Sequence, residues 1–245
     1  MSHLLNCGFF SYPKDVERGN QDSFLLPKHI DGGYVLAVAD GVGSYLGARE
    51  AADAAIFTTE ILSSNTLRDV ASAFEAIKKN VDILTERNNQ WFKAATTLSY
   101  CFIDDEYLHF GHVGDTRIYF KSGARLIALT RDHTQHQELL DEGIYTKREL
   151  RDMPGKNALT SAISKSLPLR FQKESIPLSR IADENGVITL YLMSDGAHHF
   201  WEKRPRLSVN TLSKGPLFAS SLLKRIERNE AIDDYTLIAA SFKVS

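Results

Sequence analysis

The sequence predicts an α+β fold, and three observations carry that reading. Apolar clusters rich in β-branched and aromatic residues recur along the chain. Short polar turns join the middle clusters into hairpins. Helical periodicity sits in separate blocks instead of alternating strictly with the strands, which argues against a doubly wound parallel sheet.

The candidate strands, in order, are Tyr34 to Ala39, Thr96 to Ile103, Tyr107 to Val113, Ile118 to Phe120, Val187 to Met193 and Tyr235 to Phe242. Asp104-Asp105 and Lys121-Ser122-Gly123 supply turns between them. The first candidate helix is a stripe of small residues, Ala48, Ala52, Ala55, Thr59 and Leu62, which lets a helix lie close to a sheet. The second carries Leu67, Val70, Phe74, Ile77, Val81 and Leu84 at spacings of three and four, which is one helix face and reads as core packing. The third runs from Phe218 to Arg228. Thr146-Lys147-Arg148-Glu149 fits a capping box, so a short helix is expected to start there.

Composition narrows the function classes. The chain has 245 residues, 43% hydrophobic and 24% charged, so wholesale disorder is excluded and a sizeable core is available. A single domain over 1–245 is the expectation. The net charge of −2 gives no broad basic field, so no nucleic-acid partner is expected. The longest apolar run is far short of the roughly 20 residues a membrane span needs, so no membrane partner is expected. The N-terminus lacks the pattern of a signal peptide. Two cysteines, Cys7 and Cys101, do not make a disulfide framework, so a cytoplasmic location is the default and both read as packing residues.

The chemistry is in carboxylates at strand ends. Asp40 follows Val35 to Ala39 and precedes Gly41-Val42-Gly43. Asp195 follows Ile188 to Ser194. Asp115 follows Leu108 to Val113, Asp233-Asp234 precede Tyr235 to Ile238, and Asp22 precedes Ser23-Phe24-Leu25. Any one of these reads as a turn residue. If the strand ends converge, five carboxylates crowd one edge, and a divalent cation removes the repulsion. An all-oxygen set selects Mg²⁺, Mn²⁺ or Ca²⁺ over Zn²⁺. Two such ions about 4 Å apart can share a water, ionise it and present hydroxide to an electrophile such as a phosphate ester.

Competing motifs fail on spacing. His133-Thr134-Gln135-His136 lacks further zinc ligands and reads as a surface loop, and His198-His199 reads as a loop after the Asp195 turn. Neither cysteine has an Arg at the Cys-x5-Arg spacing. A dinucleotide loop at Gly41-Val42-Gly43 has its third glycine one residue late, at Gly47, and Asp40 there would repel pyrophosphate.

In order and spacing these motifs resemble the metal-dependent Ser/Thr protein phosphatases, the PPM or type 2C family, in their compact bacterial form. The resemblance rests on Asn20-Gln21-Asp22, Ala39-Asp40-Gly41-Val42-Gly43, Ala95-Thr96-Thr97, His112 to Arg117, Leu129 to His133, Ser194-Asp195-Gly196 and Asp233 to Thr236. Residues from about 133 to 170 are similar to the family's flap. The resemblance implies a four-layer α-β-β-α sandwich with two antiparallel sheets face to face. It implies two Mn²⁺ or Mg²⁺ ions, with Asp40 bridging them and the Gly41 carbonyl as a ligand. Asp195 and Asp233 would hold the first ion. Asp22 and Gln21 would reach the second through water, and Asp115 with Asp195 would offer a third site. The implied activity is hydrolysis of phosphoserine and phosphothreonine in proteins by a metal-bound hydroxide, opposing a Ser/Thr kinase.

Three positions depart from the family. Its phosphate-gripping Arg falls at Glu17 here, and Arg18 next to it either takes that role or is an exposed loop residue. Ser44 stands where a further glycine is usual, and Val42 stands where some members have His. Two alternatives therefore remain: a pseudophosphatase adaptor or sensor, and a hydrolase of small phosphoesters.

Overall fold

The structure is a computed structural model that describes residues 2–43 and 45–244; Ser44 lies outside them. Twelve strands and seven α-helices are present among these residues. The strands are β1 (His3–Tyr12), β2 (Asp22–Ile30), β3 (Gly33–Asp40), β4 (Ala95–Thr96), β5 (Leu98–Ile103), β6 (Tyr107–Val113), β7 (Arg117–Ser122), β8 (Arg125–Ala128), β9 (Ile163–Ser164), β10 (Gln172–Pro177), β11 (Val187–Met193) and β12 (Tyr235–Lys243). The helices are α1 (Ala48–Ile61), α2 (Ser64–Arg68), α3 (Val70–Arg87), α4 (Gln135–Asp141), α5 (Asp195–Lys203), α6 (Val209–Leu212) and α7 (Gly215–Glu227).

Ten strands form two five-stranded sheets, ordered β1-β12-β11-β7-β8 and β10-β6-β5-β3-β2, and every pairing within them is antiparallel. Alternation along the strands explains why the sheets stack. Leu36 and Val38 of β3 join Ile188, Leu190 and Leu192 of β11 and Ile238 and Phe242 of β12 in the core between the sheets. Val35, Ala37 and Ala39 point the other way, into a core with Ala51, Ala52 and Ala55 of α1 and Phe74 and Ile77 of α3. Tyr191 and Met193 of β11 likewise face Phe200 of α5 and Phe218 and Leu222 of α7. Strands buried on both faces read as nearly unbroken apolar runs, and the four layers follow from that. The expected α-β-β-α sandwich is the observed one.

Several local expectations change. The Leu67–Leu84 helix is two helices, because Asp69 (φ −88°, ψ 85°) leaves the helical region between α2 and α3. The capping box forms, with Glu149 Oε2 accepting from the Thr146 amide at 2.7 Å and Glu149 N–H donating to Thr146 Oγ1 at 3.4 Å. It starts only a 3-10 turn over Glu149–Asp152, not an α-helix. His198 and His199 lie within α5, and His198 is buried. His136 belongs to α4 and is buried, and His133 Nδ1 accepts from the Gly114 amide at 3.1 Å, so this segment is not a surface loop.

Candidate active site

Asp22 opens β2 and Asp40 closes β3, and the antiparallel register sets them directly opposite each other. Asp40 is held through its backbone: its N–H donates to Thr97 Oγ1 at 3.0 Å, and its carbonyl accepts from Thr97 N–H at 2.8 Å and Thr96 Oγ1 at 3.0 Å. This gives the Ala95-Thr96-Thr97 segment its purpose and interrupts the expected Thr96–Ile103 strand at Thr97. Gly41 follows with its N–H on the Gln21 carbonyl at 3.1 Å. A Cβ there would sit 2.5 Å from the Ala48 carbonyl oxygen, so the approach of α1 to the strand end needs glycine.

Ser194 ties the two sheets together at this edge. Its Oγ donates to Asp22 Oδ2 at 2.8 Å and accepts from Thr236 N–H at 2.8 Å. Asp195 is then the first residue of α5, where the helix N-terminus favours a carboxylate. Gly196 lets the helix start lie against the Asp234 backbone, since a Cβ there would be 2.1 Å from that carbonyl oxygen. Asp115 is buried, and its backbone carbonyl accepts from His198 Nε2 at 3.0 Å.

The carboxylates act on one another. Loss of hydration, then the charges of Asp22, Asp195, Asp115 and Asp233, push Asp40 well above the usual carboxylate range. Burial first, and then Asp195, do the same to Asp115. Asp22 is pushed up to about 7 by burial, against the hydrogen bonds from Thr236 and Ser194. Asp195 is pushed up to about 6 by burial and then by Asp233. Asp22, Asp115, Asp195 and Asp233, from distant parts of the chain, thus all lie within electrostatic reach of Asp40.

Asp22 Oδ1, Asp195 Oδ1 and Gln21 Oε1 are buried acceptors with no hydrogen-bond partner. Orphaned buried acceptors in an all-oxygen set fit a hard cation. Among the described residues, no three His, Cys, Asp or Glu side chains already stand as a closed ion cage.

Arg18 stands at this cluster, but on the acids. Its Nη2 is 2.7 Å from Asp234 Oδ2 and 3.4 Å from Asp233 Oδ1. Asp234 is 3% exposed and also accepts from the amides of Lys14 and Gln21, each at 2.8 Å. It is thus the anchor of the loop between β1 and β2, a role the sequence pattern did not separate from that of Asp233. The sequence also gave no hint of Arg49, whose Nη1 donates to the Asn20 and Asp22 carbonyls at 2.8 and 2.7 Å from α1. Asp132 was legible only as part of a motif. It grips Arg117 through both carboxylate oxygens, at 2.8 and 2.6 Å, behind Asp115 and Asp195.

Among known proteins, the chain is 27% identical over 151 residues to the protein phosphatase PhpP of Streptococcus pneumoniae, an alignment spanning 59% of this chain and 61% of that relative's length. It is 25% identical over 190 residues to the serine/threonine phosphatase stp of Listeria monocytogenes, covering 74% and 73%. Its fold matches the Mycobacterium tuberculosis serine/threonine phosphatase PstP/Ppp with a TM-score of 0.78 at 22% identity, over 97% and 98% of the two chains. A second structure, the catalytic domain of PstP in complex with two manganese ions, matches with a TM-score of 0.74 at 20% identity over the whole of both chains. The family model described as Protein phosphatase 2C matches residues 15–234, which takes in every one of the acidic strand ends described above. The chain belongs to the protein phosphatase 2C family.

Proposed function

We propose that this protein is a metal-dependent Ser/Thr protein phosphatase that opposes a Ser/Thr kinase, with Asp22, Asp40, Gly41, Asp115, Asp195 and Asp233 as its metal-binding residues. The observation that carries the reading is the loss of hydration shared by Asp22, Asp40, Asp115 and Asp195 beside the half-exposed Asp233, with orphaned oxygens on Asp22 and Asp195. Mn²⁺ or Mg²⁺ suits the oxygen donors, two ions are the expectation, and the manganese-bound relative supports it. When bound, such ions supply an ionised water and positive charge for the equatorial phosphate oxygens.

The chain's own groups divide the remaining work. Asp40, fixed by Thr96 and Thr97, presents its carboxylate between the two halves of the cluster. Asp195 and Asp233 would hold one of the ions, and Arg18, which pairs with Asp233 and Asp234 at the same edge, would meet the phosphate, where a guanidinium binds two oxygens at once. Water attacks phosphorus directly, giving up a proton, and the Ser or Thr alkoxide leaves and takes one up; Val42 has none to give, so that proton comes from water or from another residue. Residues 133–170 flank the site as a flap within a single domain. The two free cysteines fit a reducing cytoplasm, and no described helix is long and apolar enough to cross a membrane.

The test is Mn²⁺-dependent release of inorganic phosphate from a phosphothreonine peptide. Asp40→Asn and Asp195→Asn should each lower the rate by orders of magnitude, and full activity in both variants would refute the assignment. The engagement of Arg18 with Asp233 and Asp234 favours one second reading, an adaptor that keeps the fold without turnover. Phosphopeptide binding without phosphate release would establish it.

A further inference from the structure

We propose that the groove between the C-terminal end of α5 and helix α7 is a docking site for an acidic segment of the phosphoprotein substrate. The proposal rests on the phosphatase reading for the word substrate, and on its own geometry for the site. A cavity of about 960 Å³ opens there, lined by Lys203, Arg204, Arg206, Lys224, Arg225 and Arg228 and by no Asp or Glu.

The cations are unmatched. Among the described residues, none of the six takes part in an ion pair with a carboxylate. The acids adjacent in sequence are turned elsewhere. Glu202 accepts from the Tyr119 hydroxyl at 2.9 Å and lies 3.7 Å from Arg117, and Glu227 is not among the residues that line the groove. Arg225 organises the groove. Its Nη1 donates to the carbonyls of Phe200 at 3.1 Å and Arg204 at 2.7 Å, and its Nη2 to that of Arg206 at 3.4 Å. The guanidinium lies 6.0 Å from the centre of the Trp201 ring. One side chain of α7 thus fixes the segment after α5, and the other cations are carried on a held backbone instead of a free loop. Burial, and then the charge of Arg204, lower the pKa of Arg225.

A concentration of positive charge costs stability unless a partner uses it. The partner is polyanionic and short. Removing these six charges leaves the rest of the chain at −8, from a total of −2. A long polyanion would extend past the patch onto a chain whose remaining charge is net negative, and charges more than about a Debye length away, roughly 8–10 Å, add little attraction. An acidic peptide segment fits the groove without that conflict. Its distance from the catalytic cluster is set by α5, whose first residue is Asp195 and whose ninth is Lys203. At the helical rise the groove begins about 12 Å from the site, which an extended peptide covers in about four residues. The preferred substrates carry Asp, Glu or phosphorylated residues at that separation from the phosphoserine or phosphothreonine.

The test compares phosphothreonine peptides with and without a run of four Asp or Glu residues beginning five positions from the phosphothreonine, on either side. The proteins are the full chain and the triple variant Arg204→Gln, Arg206→Gln, Arg228→Gln, which leaves Arg225 and the catalytic cluster intact. The acidic run should lower KM roughly tenfold for the unmodified protein at unchanged kcat, with the advantage fading at high salt. The triple variant should lose that advantage while handling the plain peptide normally. Equal KM values for the two peptides, or an equal rise for both in the variant, would overturn the proposal. Fluorescence anisotropy with an unphosphorylated acidic peptide separates the two readings. Binding that the triple variant loses upholds the groove even without phosphate release, in which case only the phosphatase assignment fails. Variant-sensitive binding of an RNA oligonucleotide or an anionic vesicle, with none of the acidic peptide, would also overturn it.

Discussion

Asp22 and Asp40 are cross-strand partners at the open end of the β2–β3 pair, two carboxylates set opposite each other where a sheet normally avoids like charges. Burial first, and then neighbouring charges, push both carboxyls up: Asp22 to about 7, and Asp40, on which the charge of Asp22 acts, well above the usual carboxylate range. Asp40→Asn removes one of the charges and keeps the shape. Without metal, the variant should be more stable by about 1 kcal/mol, a rise of roughly 2–4 °C in Tm for a chain of this size. It should also lose the stabilisation that Mn²⁺ gives the unmodified protein. Thermal melts in chelator and in Mn²⁺ check both halves. A variant that is destabilised in chelator, or still stabilised by Mn²⁺, counts against a charge-repelled metal site.

The second prediction concerns how tightly α5 is held. At Gly196 a Cβ would come within 2.1 Å of the Asp234 carbonyl oxygen, so Gly196→Ala must move the start of the helix or the β12 entry. Overpacking of this kind costs about 1–3 kcal/mol. Asp195 precedes the glycine and moves with it. Calorimetric titration with Mn²⁺ should show clearly weaker binding in the variant, with the protein still folded. Unchanged affinity would mean that Asp195 does not need its present placement.

Most of the architecture was readable because strands buried on both faces leave long apolar runs, as at Val35–Ala39 and Ile188–Met193. Edge strands were missed for the opposite reason. β10, Gln172–Pro177, pairs on one side only and buries none of its residues fully, so its sequence carries little apolar signal. The α5 helix hid because its first turn, Asp195-Gly196-Ala197-His198, is built for the site and is poor in helix-forming residues. The acidic cluster was legible since Asp is unusual at the end of an apolar strand. The division of labour between Asp233 and Asp234 was not, because only the fold decides which of two adjacent carboxylates turns inward.

Arg18 and Asp234 give a third prediction. Removing the arginine leaves Asp234 with the Lys14 and Gln21 amides, and Arg18 is partly exposed, so Arg18→Ala should cost no more than about 1 kcal/mol. Asp234→Ala instead removes the buried carboxylate that accepts from the Lys14 and Gln21 amides, and the loss of these two hydrogen bonds should cost about 1–3 kcal/mol. Kinetics separate the roles. If the guanidinium also meets the phosphate, Arg18→Ala raises KM for a phosphothreonine peptide by an order of magnitude or more, and Arg18→Lys restores little because the fork geometry is lost. An unchanged KM would confine Arg18 to the loop anchor.

The last prediction follows from a histidine outside the acidic cluster. His112 is fully buried, its Nε2–H donating to the Arg131 carbonyl at 3.1 Å and its Nδ1 accepting from Ser99 Oγ at 2.9 Å, with the His133 ring stacked 5.1 Å away. Burial first, then the neighbouring His133 and Arg117 charges, bring its pKa down to about 3. An unfolded histidine titrates near 6.5, so between pH 6.5 and 3 the unfolded chain takes up a proton that the folded chain refuses. The stability this group contributes is complete above pH 6.5 and is lost as pH falls, amounting to about 2 kcal/mol by pH 5. His112→Gln should be less stable at pH 7, because the ring and its hydrogen bonds are gone, yet lose less on acidification. Urea unfolding of both proteins at pH 7 and pH 5 gives the comparison. The two curves should converge toward acid, and parallel loss would show that His112 is protonated in the folded state and contributes nothing to the slope.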